Sequence, residues 1–105
     1  MRTYTVSIPG GTASTSIQIQ SSGTLKRFIM SIISAAAGTW ELSLNSASQI
    51  ASATPAADVI ARVRVLGAAG TQNVVVDTSV PVKAFQTVYL HCTGAGNVGE
   101  LMLQV

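Results

Sequence analysis

Apolar and polar positions alternate in short runs along most of the chain, punctuated by clusters of Gly, Pro, Ser and Asn. A period of two sends successive side chains to opposite faces of a strand, so each such run predicts a half-buried strand. Tyr4, Val6 and Ile8 alternate with Thr3, Thr5 and Ser7 until Pro9-Gly10-Gly11 breaks the run. Ile17 and Ile19 alternate with Ser16, Gln18 and Gln20 as far as Ser21-Ser22-Gly23. Trp40, Leu42 and Leu44 point one way and Glu41, Ser43 and Asn45 the other. Val59, Ala61, Val63 and Val65 share a face opposite Ile60, Arg62, Arg64 and Leu66, with Gly67 to Gly70 as the turn that follows. Val74 to Val76 is a β-branched run between Asn73 and Asp77. Val88, Leu90 and Cys92 then alternate with Thr87, Tyr89 and His91, and Leu101, Leu103 and Val105 with Glu100, Met102 and Gln104.

One segment reads two ways. In Leu25 to Ala37, the residues Leu25, Phe28, Ile29, Ile32 and Ile33 fit a helical stripe, with Thr24 as a cap and Gly38 as a stop. Read as a strand, Phe28, Met30 and Ile32 lie on one face and Ile29, Ser31 and Ile33 on the other. The strand is preferred because the segment is β-branched, sits between strands, and reaches the Trp40 strand directly through Ala37-Gly38. Ser46 to Ala57 is rich in small residues and contains Pro55, which predicts a long loop with room for one helical turn. The expected strands lie around residues 3–8, 15–20, 25–35, 39–45, 58–66, 72–77, 86–92 and 99–105. Eight short strands in one domain spanning 1–105 predict an all-β fold: an antiparallel β-sandwich, jelly-roll or related Greek key. An immunoglobulin-type sandwich is the alternative, but a single cysteine cannot make its disulfide. The lack of a fixed-period repeat disfavours a solenoid.

Composition sharpens this picture. The 105 residues suffice for one core, and 48% of them are apolar, too many for a disordered chain. Only 10% are charged. Mixed surface charge normally keeps small domains apart, so this scarcity predicts association with copies of the chain or with a larger partner. The net charge of +2 arises from Arg2, Lys26, Arg27, Arg62, Arg64 and Lys83 against Glu41, Asp58, Asp77 and Glu100. The longest basic run is two residues, which argues against nucleic acid as the partner. Met1 to Ile8 lacks the apolar block of a signal peptide, and Phe28 to Ala37 is about half the roughly 20 residues of a membrane-spanning helix. No membrane partner is expected.

Candidate chemistry is sparse. Gly94-Ala95-Gly96-Asn97-Val98-Gly99 has the form GxGxxG, yet the residues after Gly99 alternate as a strand, leaving no helix whose N-terminus could receive a pyrophosphate. His91 and Cys92, neighbours on a strand, project to opposite faces. With one His and one Cys, neither a zinc site nor a cysteine-nucleophile triad assembles within a single copy. No catalytic residue, metal ligand or cofactor is expected. Cys92 reads as a small buried hydrophobe, and Glu41, Asp58, Asp77 and Glu100 read as solvated strand or turn residues. Tyr89 and His91, with Thr87, occupy a strand face opposite the core, where Tyr offers an apolar ring with a polar end. That face is a candidate subunit interface or, as the alternative, the platform of a carbohydrate-binding module. Arg62 and Arg64, bordered by Ile60 and Leu66, form the second candidate, able to pair with a partner's carboxylates or to hold phosphate. Met102 completes the set of interface candidates.

Low charge, loops rich in Ser, Thr, Ala and Gly, the run Pro81-Val82-Lys83-Ala84-Phe85-Gln86 leading into the Val88 strand, and a strand at residues 99–105 give a chain that resembles the small virion proteins of tailed bacteriophages, the decoration or cement type that stud a capsid shell. The resemblance covers most of the length as a matter of style. It implies a compact β-rich, non-enzymatic structural protein. Such a protein would form a homo-oligomer, with a trimer favoured, on a capsid shell, and would be found in the virion after assembly in the host cytoplasm.

Overall fold

A computed structural model describes residues 2–8, 14–33, 38–51, 58–65, 71–92 and 98–105. These hold eight strands: β1 (Thr3–Ile8), β2 (Ser14–Gln18), β3 (Gly23–Ile33), β4 (Gly38–Ser43), β5 (Val59–Val65), β6 (Thr71–Val82), β7 (Thr87–Cys92) and β8 (Val98–Gln104). They form two four-stranded antiparallel sheets, ordered β1-β8-β3-β6 and β2-β7-β4-β5, and no helix occurs among the described residues. The expected all-β sandwich is therefore the observed architecture. The Leu25 segment is a strand as far as Ile33. Ser34 to Ala37, the Pro9-Gly10-Gly11 break, Leu66 and the Gly67 to Gly70 turn, the stretch from Ser52 to Ala57 and the GxGxxG positions 94–97 lie outside the described residues.

The alternation seen in the sequence divides inside from outside. Tyr4, Phe28, Met30, Leu101 and Leu103 of one sheet and Trp40, Leu42, Val88, Leu90 and Cys92 of the other bury together in one cluster. Cys92 is thus the buried hydrophobe expected, and burial pushes its thiol pKa up, away from the reactive thiolate. Ile19 follows β2 outside its ladder and is buried all the same.

Two irregularities depart from simple alternation. Leu25 pairs with Val80 and Phe28 with Val76, so three steps of β3 stand against four of β6. This bulge leaves Lys26 and Arg27 both exposed between buried Leu25 and Phe28. In β5, Leu42 faces Ala61 while Ser43 faces Val59. The extra residue, Ile60, packs against the core, so Ile60 and Val59 sit on the reverse of the faces that strict alternation assigned them. β6 also runs to Val82, five residues past the expected end at Asp77, and includes Pro81. Proline is tolerated there because β6 is an edge strand.

The described end of the sandwich is tied together by polar contacts. Arg2 and Val105 exchange backbone hydrogen bonds of 2.7 and 2.8 Å beyond the β1–β8 ladder. The Tyr4 hydroxyl accepts from the Gln20 amide at 3.0 Å, Arg2 Nη1 donates to Ser21 Oγ at 2.9 Å, and the Arg2 guanidinium lies over the Tyr4 ring.

Candidate interaction surfaces

Each sheet has an outer face, and the two differ in what covers them. On the β2-β7-β4-β5 sheet, register sets Ser14, His91, Glu41 and Arg62 in one transverse row and Ser16, Tyr89, Ser43 and Val59 in the next. The structure therefore brings three sequence candidates, Tyr89, His91 and Arg62, onto one face. Arg64 lies farther along β5, opposite Thr39, and is exposed. Met102 is on the other sheet.

A segment following β4 closes over the first face. The amide of Gln49 donates to Glu41 Oε1 at 3.0 Å, Arg62 Nε donates to Glu41 Oε2 at 3.0 Å, and Arg62 Nη2 donates to the Gln49 carbonyl. The amide of Asn45 donates to Ser43 Oγ at 2.9 Å, Leu44 N donates to the Asp58 carbonyl at 2.9 Å, and His91 Nε2 donates to the Asn45 carbonyl at 3.0 Å. Residues 44–51 thus form a strap across the sheet, in agreement with the loop expected from Ser46 onward, with a turn at Ile50 and Ala51.

The strap corrects three readings. Glu41 is not a solvated strand residue: it is fully buried, and its charge is met by Arg62 and an amide. Arg62, a candidate to pair with a partner's carboxylates or to hold phosphate, instead has its guanidinium bonded to Glu41 and the strap within the chain. His91 is 4% exposed, so it cannot present the open platform that alternation suggested. Its ring stacks on Tyr89 with centroids 6.0 Å apart and planes within 1°, leaving Tyr89 half-buried at the rim. Glu41 was missed as a structural centre because burial of an outward position depends on a loop folding back over the strand. A sequence signal did exist in its opposite charge to Arg62 on the next strand.

Ser14, His91 and Glu41 are the residue types of a nucleophile, base and acid, and they share a row. Their hydrogen bonds do not form a relay. Both Glu41 oxygens go to Gln49 and Arg62, and His91 Nε2 goes to Asn45. Among the described residues there is no ligand-sized cavity and no group of three metal-ligating side chains. No helix among them is long and apolar enough to cross a membrane. His91 meets the strap while Cys92 joins the core, so the two do project to opposite sides.

No described segment is bonded across the outer face of the β1-β8-β3-β6 sheet. Thr5 pairs with Met102, Met102 with Ile29, and Ile29 with Val75, giving one row whose last three members are apolar, with Val75 56% exposed. Polar rows flank it: Thr3, Gln104, Arg27 and Asp77 on one side, Ser7, Glu100, Ser31 and Asn73 on the other. Arg27 Nε and Asp77 Oδ1 form an exposed ion pair at 2.7 Å.

The second uncovered feature is the turn between β6 and β7. Phe85 is 69% exposed and has φ 68°, a left-handed backbone that a bulky residue rarely adopts. Its amide donates to the Ile19 carbonyl at 2.6 Å, its carbonyl accepts from Gln18 Nε2 at 3.2 Å, and the adjacent Ala84 amide donates to Ser22 Oγ at 3.0 Å. Sequence alternation stopped before this turn and gave no sign of it.

Comparison with protein-family models, with curated proteins and with solved structures finds no match to this chain.

Proposed function

We propose that the chain is a non-enzymatic structural protein that binds other protein subunits, of the capsid decoration or cement kind found on tailed bacteriophage virions. The observation that carries this reading is Phe85. An exposed aromatic held in a strained backbone by a ring of hydrogen bonds costs the fold stability, and such strain persists where the surrounding structure enforces it, often at binding sites. Aromatic side chains are enriched in protein interfaces, and a tip that is already rigid loses little freedom on docking.

The winding of the strands supports the reading as well. The pairs β4–β5, β3–β6, β2–β7 and β1–β8 nest one inside the next, and a ladder of nested pairs wrapped into two sheets is the path of a jelly roll, an architecture of capsid domains. Scarce charge favours association over a solitary existence, whether with copies of the chain or with a shell.

The test is sedimentation of the purified chain with shells assembled from the capsid protein encoded in the same genome. The wild type is expected to travel with the shells, and Phe85→Ser to bind at least ten-fold more weakly while melting at an unchanged temperature. Absence of wild-type binding, or a genome without capsid, portal or terminase genes beside this one, would defeat the proposal.

A further inference from the structure

Four strands lie at sheet edges, and one of them is unlike the rest. β1, β2 and β5 are 6, 5 and 7 residues long, whereas β6 runs for 12. β3 pairs with one side of β6, and among the described residues no strand and no backbone hydrogen bond reaches the other side. Edge strands are normally kept from pairing by shortness, charge, proline or a bulge. From Thr71 to Val76, β6 has no charge, no proline and no shift of register. We infer that this edge adds to the same edge of a second copy, β6 against β6 and antiparallel about a two-fold axis normal to the sheet, joining two four-stranded sheets into one of eight strands.

The groups left open select a strand as the occupant. A sheet edge offers N–H and C=O groups in series at the spacing of an extended chain, and another extended backbone meets them one after the next. A second copy supplies such a strand of equal length, and an antiparallel pair about a two-fold axis is complementary to itself. Side chains then set the register. Exposed Asn73, Val75, Asp77 and Ser79 alternate with half-buried Val74, Val76 and Thr78. The axis keeps outer face beside outer face, so exposed positions meet exposed ones. Pro81 has no N–H to donate, so pairing stops short of it. The longest overlap that satisfies both conditions runs from Thr71 to Ser79 and puts Val75 on the axis. It sets Val75 against Val75, Val74 against Val76, and Asn73 against Asp77 of the other copy. Cross-strand β-branched pairs are favourable, and Asp77, the one charge of β6, meets an amide instead of its like. The ion pair of Asp77 with Arg27 stays within each chain and takes no part in the contact.

Main-chain hydrogen bonds supply the affinity of strand addition. The overlap forms about eight to ten of them, as many as a standard interface carries, over a smaller area. Half-association is therefore expected on the order of 100 μM. The contact closes on itself without growing into a filament. It goes beyond the proposed function, which names no mode of self-association, and it leaves Phe85 outside the overlap.

Sedimentation velocity across a concentration series tests the pairing without any shell present, so this inference and the shell-binding proposal can fail separately. The wild type is expected to shift from monomer to dimer as concentration rises. Val75→Lys opposes two ammonium groups on the axis and should stay monomeric with an unchanged melting temperature, because Val75 is exposed. Disulfide cross-linking under mild diamide oxidation reads the register. Val75→Cys places two thiols beside the axis and should link into a dimer at least ten-fold faster than Asn73→Cys, whose thiols lie four residues, about 13 Å, out of step and beyond disulfide reach. Cys92 is buried, so the wild type should not link. A wild type that remains monomeric up to ~1 mM, ten times the expected midpoint, a trimer, a Val75→Lys chain that still pairs, or equal linking at the two cysteine positions would each overturn the inference.

Discussion

At Phe85 the Cβ crowds the following carbonyl oxygen, and a left-handed residue other than glycine costs about 1–2 kcal/mol. Glycine removes that crowding but gives the unfolded chain more freedom, which offsets part of the gain. Phe85→Gly is therefore expected to stabilise the fold by up to about 1 kcal/mol, seen as a rise of a few degrees in melting temperature. Phe85→Ala keeps the Cβ and should show no such rise. An unchanged or lower melting point for the glycine variant would mean that the aromatic ring packs favourably where it sits. Other single residues were legible to different degrees. Trp40 and Cys92 were placed in the core by alternation alone, although the Trp40 Nε1 hydrogen finds no partner among the described residues. His91 was put on the correct face but with the wrong exposure, since alternation gives a side and says nothing of what lies over it.

Among elements, most strands were readable because they alternate and β6 because of its β-branched run, and the misread bounds and faces lie where those signals break off. The register shift between β3 and β6 moves the core face of β3 from Leu25 to Phe28, a spacing of three, which is what made the segment resemble a helix. Asp77 made β6 look finished early, whereas the strand continues to Val82 and takes in Pro81, which its edge position permits. The strap was readable only as a loop. Its anchoring shows what it contributes: Glu41 is fully buried, so removing its cation leaves a desolvated carboxylate without a counter-charge. Arg62→Ala is expected to cost about 3 kcal/mol by urea denaturation, at the lower end for a broken buried pair because Arg62 keeps some access to solvent. Replacing both residues, Glu41→Leu with Arg62→Leu, removes the charge to be compensated and should lose less than Arg62→Ala alone. If the double variant is the weaker, the ion pair itself contributes net stability.

For the molecule as a whole, the nested pairing sets an order of loop closure. Ser43 meets Val59 across a short excursion, Ile33 meets Thr71 around that hairpin, Gln18 meets Thr87 around both, and Thr3 meets Gln104 around everything. Closing an outer pair first would order a long stretch of chain for few contacts, whereas each inner pair shortens the loop left for the next. The β4–β5 hairpin, locked by Glu41 and Arg62 and backed by Leu42, is the natural start, and β8 entering between β1 and β3 is the natural finish. Refolding should accordingly be slow for a chain of this size, in the range of milliseconds to seconds typical of all-β sandwiches. Leu42→Ala should then lower the refolding rate with most of its loss of stability, while Val6→Ala should act mainly by raising the unfolding rate. Stopped-flow chevron plots of the two variants measure this directly. The opposite partition, with Val6→Ala slowing refolding, would place the β1–β8 closure in the folding nucleus and make the outermost pair the one on which the sandwich is built.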